Sequence, residues 1–116
     1  MALSAVGKAR QGAQAALDKK AQALQVLDLQ ALSGIADYFL ICTGTSTTQL
    51  RTVAEAVEAS LKGDGHLPLH REGVPESGWM LLDYGDVVVH VFLPETRAFY
   101  ALDHLWGDAP ELPIEA

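Results

Sequence analysis

The run Trp79–Leu93 (WMLLDYGDVVVHVFL) constrains this chain more than any other segment. Val87, Val89, Val91 and Leu93 share one face of an extended chain, and Val88, His90 and Phe92 share the other. Two apolar faces on one strand call for cover on both sides, which places this strand inside a sheet. Trp79–Tyr84 reads as the strand before it, and Gly85-Asp86 as the tight reversal that makes the pair a hairpin. Residues 37–43 (DYFLICT), β-rich and nearly all apolar, supply a further interior strand. Interior strands need a packed layer on each face, and segments with a helical period elsewhere in the chain can supply it.

Gly44-Thr45-Ser46 turns the chain from that strand into a helix, with Ser46 and Gln49 spaced as a capping box. Leu50, Val53, Ala54, Val57 and Leu61 recur at helical spacing, while Arg51, Glu55, Glu58 and Lys62 face out. Lys62-Gly63-Asp64-Gly65 supplies a glycine stop. A second amphipathic helix is expected over 95–106, with Ala98, Phe99, Leu102, Leu105 and Trp106 as its buried stripe. Pro94 closes the strand before it, and Gly107 ends it. Upstream, 18–23 reads as a short helical stretch and 24–29 as a strand. Residues 1–17 read as a short, loosely docked helix, because Leu3, Val6, Leu17 and several Ala give only a thin apolar face. Residues 66–78 read as a strand fragment and a loop. The expected fold is α/β (α+β), a mixed β-sheet with helices packed on it. It forms a single domain over 1–116: a helical extension (1–17), a main body (18–107) and an acidic tail (108–116).

Composition bounds what such a domain does. At 116 residues and 49% hydrophobic, the chain can fold without disulfides or a metal, and its lone Cys42 has no partner within the chain. No apolar run approaches the roughly 18 residues of a membrane span, so no membrane association is expected. The Ala-rich, basic start resembles a weak transit peptide but lacks the apolar centre of a secretory signal. Net charge is −7, unevenly spread: residues 1–20 carry +3 and the remainder −10. That balance repels phosphate backbones, so direct nucleic-acid binding is not expected; it suits a basic protein partner, or simply keeps the chain soluble.

Catalytic constellations are sparse. Gly44-Thr45-Ser46 could cradle a phosphate at a helix start, but no Lys completes a phosphate loop. Asp83 and Asp86 flank a hairpin tip and need not converge on one metal. Cys42 reads as a core thiol and His90 as a satisfied interior histidine. His66 and His70 are separated by Pro68, which rules out a helix presenting both, so no metal or other cofactor is expected. Trp79, Asp83, Tyr84, Asp86, Tyr100, Asp103 and Trp106 instead concentrate aromatics and carboxylates in the last third, as an interface with a basic partner would.

In order along the chain, Asp18–Ala21, Val26–Leu29, Ala36–Ser46, Glu72-Gly73, Trp79–Phe92, Arg97, Tyr100 and Leu105-Trp106 resemble the ribosomal silencing factor (RsfS, Iojap) family over about residues 18–108. The resemblance implies a nucleotidyltransferase-like fold without the active site. It implies binding to the large ribosomal subunit through its ribosomal protein fourteen, blocking subunit joining and repressing translation under nutrient limitation. Members of the family are often dimeric, which implies a homodimer, and the bacterial cytoplasm is the expected location. Carried over, the partner-facing residues are Trp79, Asp83, Tyr84 and Tyr100, extended by Met80, Leu82 and Asp103. The chain departs from the family at Thr48, where an Arg is common before the Gln, and at Ala101–His104. Two alternatives stand beside this reading. One is a phosphate-transfer enzyme using Gly44–Ser46 with Asp83 or Asp86; the other is a dimeric adaptor for another basic protein.

Overall fold

A computed structural model describes residues 3–32, 34, 36–102 and 107–114. Helix α1 (Ala5–Asp18) leads into β1 (Gln22–Asp28) and β2 (Tyr38–Thr43), followed by α2 (Thr47–Gly63) and β3 (His70–Glu72). A 3-10 turn (Pro75–Ser77) precedes the hairpin β4 (Trp79–Asp83) and β5 (Val87–Phe92), and α3 (Pro94–Tyr100) follows. The five strands form one sheet in the order β1-β2-β5-β4-β3. Among the described residues, only β2 and β5 pair in parallel, from Tyr38 opposite Val87 to Thr43 opposite Phe92. The other pairings are antiparallel. The mixed sheet and its interior hairpin are as the sequence led us to expect. Both central strands are buried throughout.

Strand alternation splits the apolar residues into two layers. Leu40, Cys42, Leu82, Val87, Val89 and Val91 meet Leu50, Val53, Val57 and Leu61 of α2 and the Ala residues of α1. Leu27, Leu29, Phe39, Ile41, Val88 and Phe92 form a smaller cluster on the other face, with Trp79, Leu81, Leu102 and Ala109 packed against it.

The N-terminal helix is more firmly seated than expected. Its buried positions are Ala9, Gly12, Ala13 and Ala16, and small residues let its backbone approach closely. A Cβ on Gly12 would stand 3.2 Å from Leu40 Cδ2 and 3.5 Å from Val57 Cγ1. Ser4 caps this helix by accepting from the Gly7 amide, and the Leu3 amide donates to His66 Nε2 at 3.0 Å.

Residues 19–23 are not helical. The helix stops at Asp18, Lys20 takes a left-handed φ of 65°, and the Lys20 and Ala21 amides close onto the Leu17 and Ala16 carbonyls. Gln22 is then drawn into pairing with Thr43, so sheet formation overrides helix propensity here. The helix expected over 95–106 is also shorter among the described residues. It begins with Pro94 at its first turn, and Ala101 turns left-handed (φ 49°) with its amide on the Arg97 carbonyl. None of its residues is buried, and Phe99, expected in a buried stripe, is 81% exposed. Leu105 and Trp106 of that stripe lie outside the described residues.

Pro110 and Leu112, in the acidic tail, pair with the outer edge of β1. The Asp28 amide donates to the Pro110 carbonyl and the Leu112 amide to the Val26 carbonyl, both at 2.8 Å. That pairing covers a strand edge that would otherwise be open. The close fit of α1 yields a prediction. Gly12→Leu should lower unfolding free energy by about 1–3 kcal/mol, because overpacking pushes α1 off the sheet; a urea titration of both chains reads the loss.

Candidate protein-docking face

Along β4, residues alternate between the two layers. Met80 and Leu82 turn toward the helices and Trp79 and Leu81 toward the opposite face. Leu82 is 3% exposed and Tyr84, just beyond the strand, is 6% exposed. Both were expected to face a partner; the period-two geometry of the strand instead puts them in the core. Burial pushes the Tyr84 hydroxyl up to about 12, so it stays protonated. Met80 is half-buried on that same helix-covered side. Asp103 lies outside the described residues.

Trp79 and Tyr100 do come together. Their ring centroids are 4.6 Å apart, and Trp79 also stacks on Phe92 at 5.0 Å. The indole N–H donates to His90 Nδ1 at 3.1 Å, and His90 meets Phe39 edge-on at 4.6 Å. Phe99 stands perpendicular to Tyr100 at 5.1 Å, and these two rings carry the set out to solvent. The result is an aromatic platform on the sheet face opposite α1 and α2. Buried rings hold its base in place, and exposed rings form its surface.

His90 is only half satisfied. Nδ1 accepts from Trp79, so the neutral ring carries its proton on Nε2, which is buried with no partner among the described residues. Desolvation lowers its pKa to about 4, against an opposing pull from the nearby Asp83 carboxylate. Asp83 accepts from the Gly85 amide at 2.7 Å and braces the hairpin turn. Asp86 pairs instead with Lys8 Nζ at 2.7 Å, on the helix side. The two acids therefore do not converge.

Arg97 is the residue that sequence reasoning left without a role. Its guanidinium donates to the Ala23 carbonyl (2.6 Å), Thr43 Oγ1 (2.9 Å) and Gln25 Oε1 (2.8 Å), pinning α3 to the bulged start of β1 and to β2. Its isolation was the available signal, since it is the only Lys or Arg after Arg71.

The phosphate-loop candidate is closed by its own side chains. Ser46 Oγ accepts from the Gln49 amide at 3.1 Å. Gln49 Oε1 takes the Thr45 amide and hydroxyl, a variant of the expected capping box, while its Nε2 reaches the Lys19 and Lys20 carbonyls. Cys42 is fully buried, and desolvation pushes its thiol to about 12, which leaves negligible thiolate at neutral pH. Among the described residues, no group of three or more His, Cys, Asp or Glu could hold a metal ion. No helix described is long and apolar enough to cross a membrane. Chemically, this face can bury aromatic area against another macromolecule.

The sheet order and this platform define a small α+β domain that presents one aromatic face. A family model described as ribosomal silencing factor during starvation matches residues 3–116, and the chain belongs to that family. The ribosomal silencing factor of Bacillus subtilis is 44% identical over 93 residues, covering 80% of this chain and 79% of that protein. Its counterpart in Halalkalibacterium halodurans is 43% identical over 98 residues, covering 84% of each. A crystal structure of a protein from Chromobacterium violaceum superposes with a TM-score of 0.87 at 30% identity, covering 98% of this chain and 94% of that one. The family resemblance carried by the sequence motifs is confirmed, and the family is one of translational regulators.

The buried imidazole gives a pH prediction. The unfolded chain takes up a proton at His90 near pH 6.5, whereas the folded one refuses it down to about pH 4. Stability from this group is therefore complete above pH 6.5 and is lost as pH falls toward 4, by about 3 kcal/mol in all. Urea midpoints measured between pH 7.5 and 4 should fall less steeply for His90→Gln than for the parent chain.

Proposed function

We propose that this chain binds the large ribosomal subunit through its ribosomal protein fourteen and blocks joining of the small subunit by occupying space. The observation that carries the reading is the aromatic platform, with Tyr100 47% and Phe99 81% exposed beside the anchored Trp79 ring. Large exposed apolar groups rimmed by polar ones are what a docking surface needs. Family membership supplies the class of partner, and a net charge of −7 suits a basic protein. The action is steric and needs no chemistry: Asp83, Asp86, Ser46 and Cys42 are each engaged in holding the fold. On this reading Trp79 and Tyr100 are the contact anchors and Asp83 a rim charge. The chain works in the bacterial cytoplasm, when nutrients are scarce. Self-association into a homodimer is compatible with this role.

Sedimentation with purified subunits tests the proposal. The parent chain should migrate with the large subunit and prevent joining. Tyr100→Ala, at a half-exposed position that leaves the core intact, should weaken binding by about 2 kcal/mol, near thirtyfold in Kd. Trp79→Ala should weaken it at least as much, with circular dichroism confirming that the variant folds. Parent chain left at the top of the gradient with joining unimpaired would defeat the proposal. Binding that survives both substitutions in folded protein would move the contact to another face.

A further inference from the structure

Beside the platform lies a cleft of about 170 Å³, lined by Glu72, Gly73, Ser77, Trp79, Leu81 and Tyr100. It is well below the roughly 300–1,000 Å³ of sites for nucleotides or other small molecules, and it has the size of a single side chain. Its walls are aromatic and fixed: Phe92 and His90 hold the Trp79 ring from below, and Tyr100 closes against it.

The polar groups of the lining are unequal. The Trp79 N–H is committed to His90. The Ser77 hydroxyl lies 2.7 Å from the Val74 carbonyl and 3.0 Å from the Trp79 carbonyl. Among the described lining residues, that leaves the Tyr100 hydroxyl as the one side-chain donor without a partner, which is poor provision for an anion. Acceptor capacity is better supplied. One Glu72 oxygen sits 2.8 Å from His70 Nε2, and the other has no partner among the described residues. Aromatic walls with a carboxylate beside them suit a flat cation.

We propose that this cleft receives an arginine side chain of a basic protein partner, its guanidinium lying against the Trp79 and Tyr100 rings and donating to Glu72. The inference rests on the docking face proposed above and adds Glu72, which sequence reasoning did not single out as a contact. Guanidinium fits better than ammonium because it is planar, more weakly hydrated and able to stack while it hydrogen-bonds in its own plane. The charge of −10 carried by residues 21–116 favours a cationic visitor over an acidic or neutral one.

The test uses the full isolated chain, with N-acetyl-arginine amide and N-acetyl-lysine amide as probes at matched ionic strength. Binding is followed through the Trp79 indole and Gly73 amide resonances. The arginine probe should shift both signals with an apparent affinity about fivefold better than the lysine probe, and Glu72→Gln should remove most of that advantage. The Glu72 side chain is 64% exposed, so the substitution leaves the core untouched. No shift, equal response to both probes, or full response in folded Glu72→Gln would each overturn the proposal. The ribosomal reading is tested separately on the gradient: a chain that binds the arginine probe but not the large subunit would keep the cleft and lose that partner.

Discussion

The parallel pairing of β2 with β5 is the constraint on which the rest of the molecule depends. Tyr38–Thr43 and Val87–Phe92 are buried at every position, and their register fixes which side chains point to each face of the sheet. Parallel neighbours require a crossover, and here the connecting chain holds α2, β3 and β4. The crossover lays α2 across one face, where Leu50, Val53, Val57 and Leu61 cover Leu40, Val89 and Val91. The N-terminal helix adds itself to that layer through alanine and glycine, which bring helix and sheet close without large interlocking side chains.

The opposite face carries the smaller apolar cluster, and the aromatic rings gather over it. Phe39, His90 and Phe92 build a floor, Trp79 lies on it, and the short α3 brings Tyr100 and Phe99 to its rim. A helix of seven residues with none buried has little packing of its own. Its position rests on the Arg97 bonds to Ala23, Thr43 and Gln25 and on the turn at Ala101. His90 must stay neutral for the indole bond to persist, and the apolar surroundings that lower its pKa keep it so. The cost is a buried Nε2 with no partner among the described residues.

Much of this was legible from the chain. The alternation in Val87–Phe92, the apolar run of β2, the Ser46 cap and the Gly65 stop are local signals, and each element stands where its pattern placed it. The family was legible too, because an ordered run such as Trp79–Phe92 is specific. Less legible was any feature set by a distant partner. Residues 18–23 carry helix-forming composition, yet the pull of Thr43 on Gln22 ends the helix earlier. In the helix expected over 95–106, Phe99 sits at a spacing that suits burial, yet α3 covers too little of the sheet to bury it. Tyr84 and Leu82 sit in a motif rich in contact-like residues, and only the side of the strand they occupy decides that they are core.

The sequence by itself determined the class of fold, the interior hairpin, the acidic character and the family. These follow from periodicity, composition and motif, which are properties of short stretches and of sums. Tertiary structure alone decided which aromatics meet, that Arg97 fastens α3 to the first two strands, and that Glu72 stands beside Trp79 and Tyr100. The physical reason is distance along the chain. Trp79 and Tyr100 become neighbours only because the β4–β5 hairpin and the turn into α3 fold one over the other, and no local preference encodes that approach.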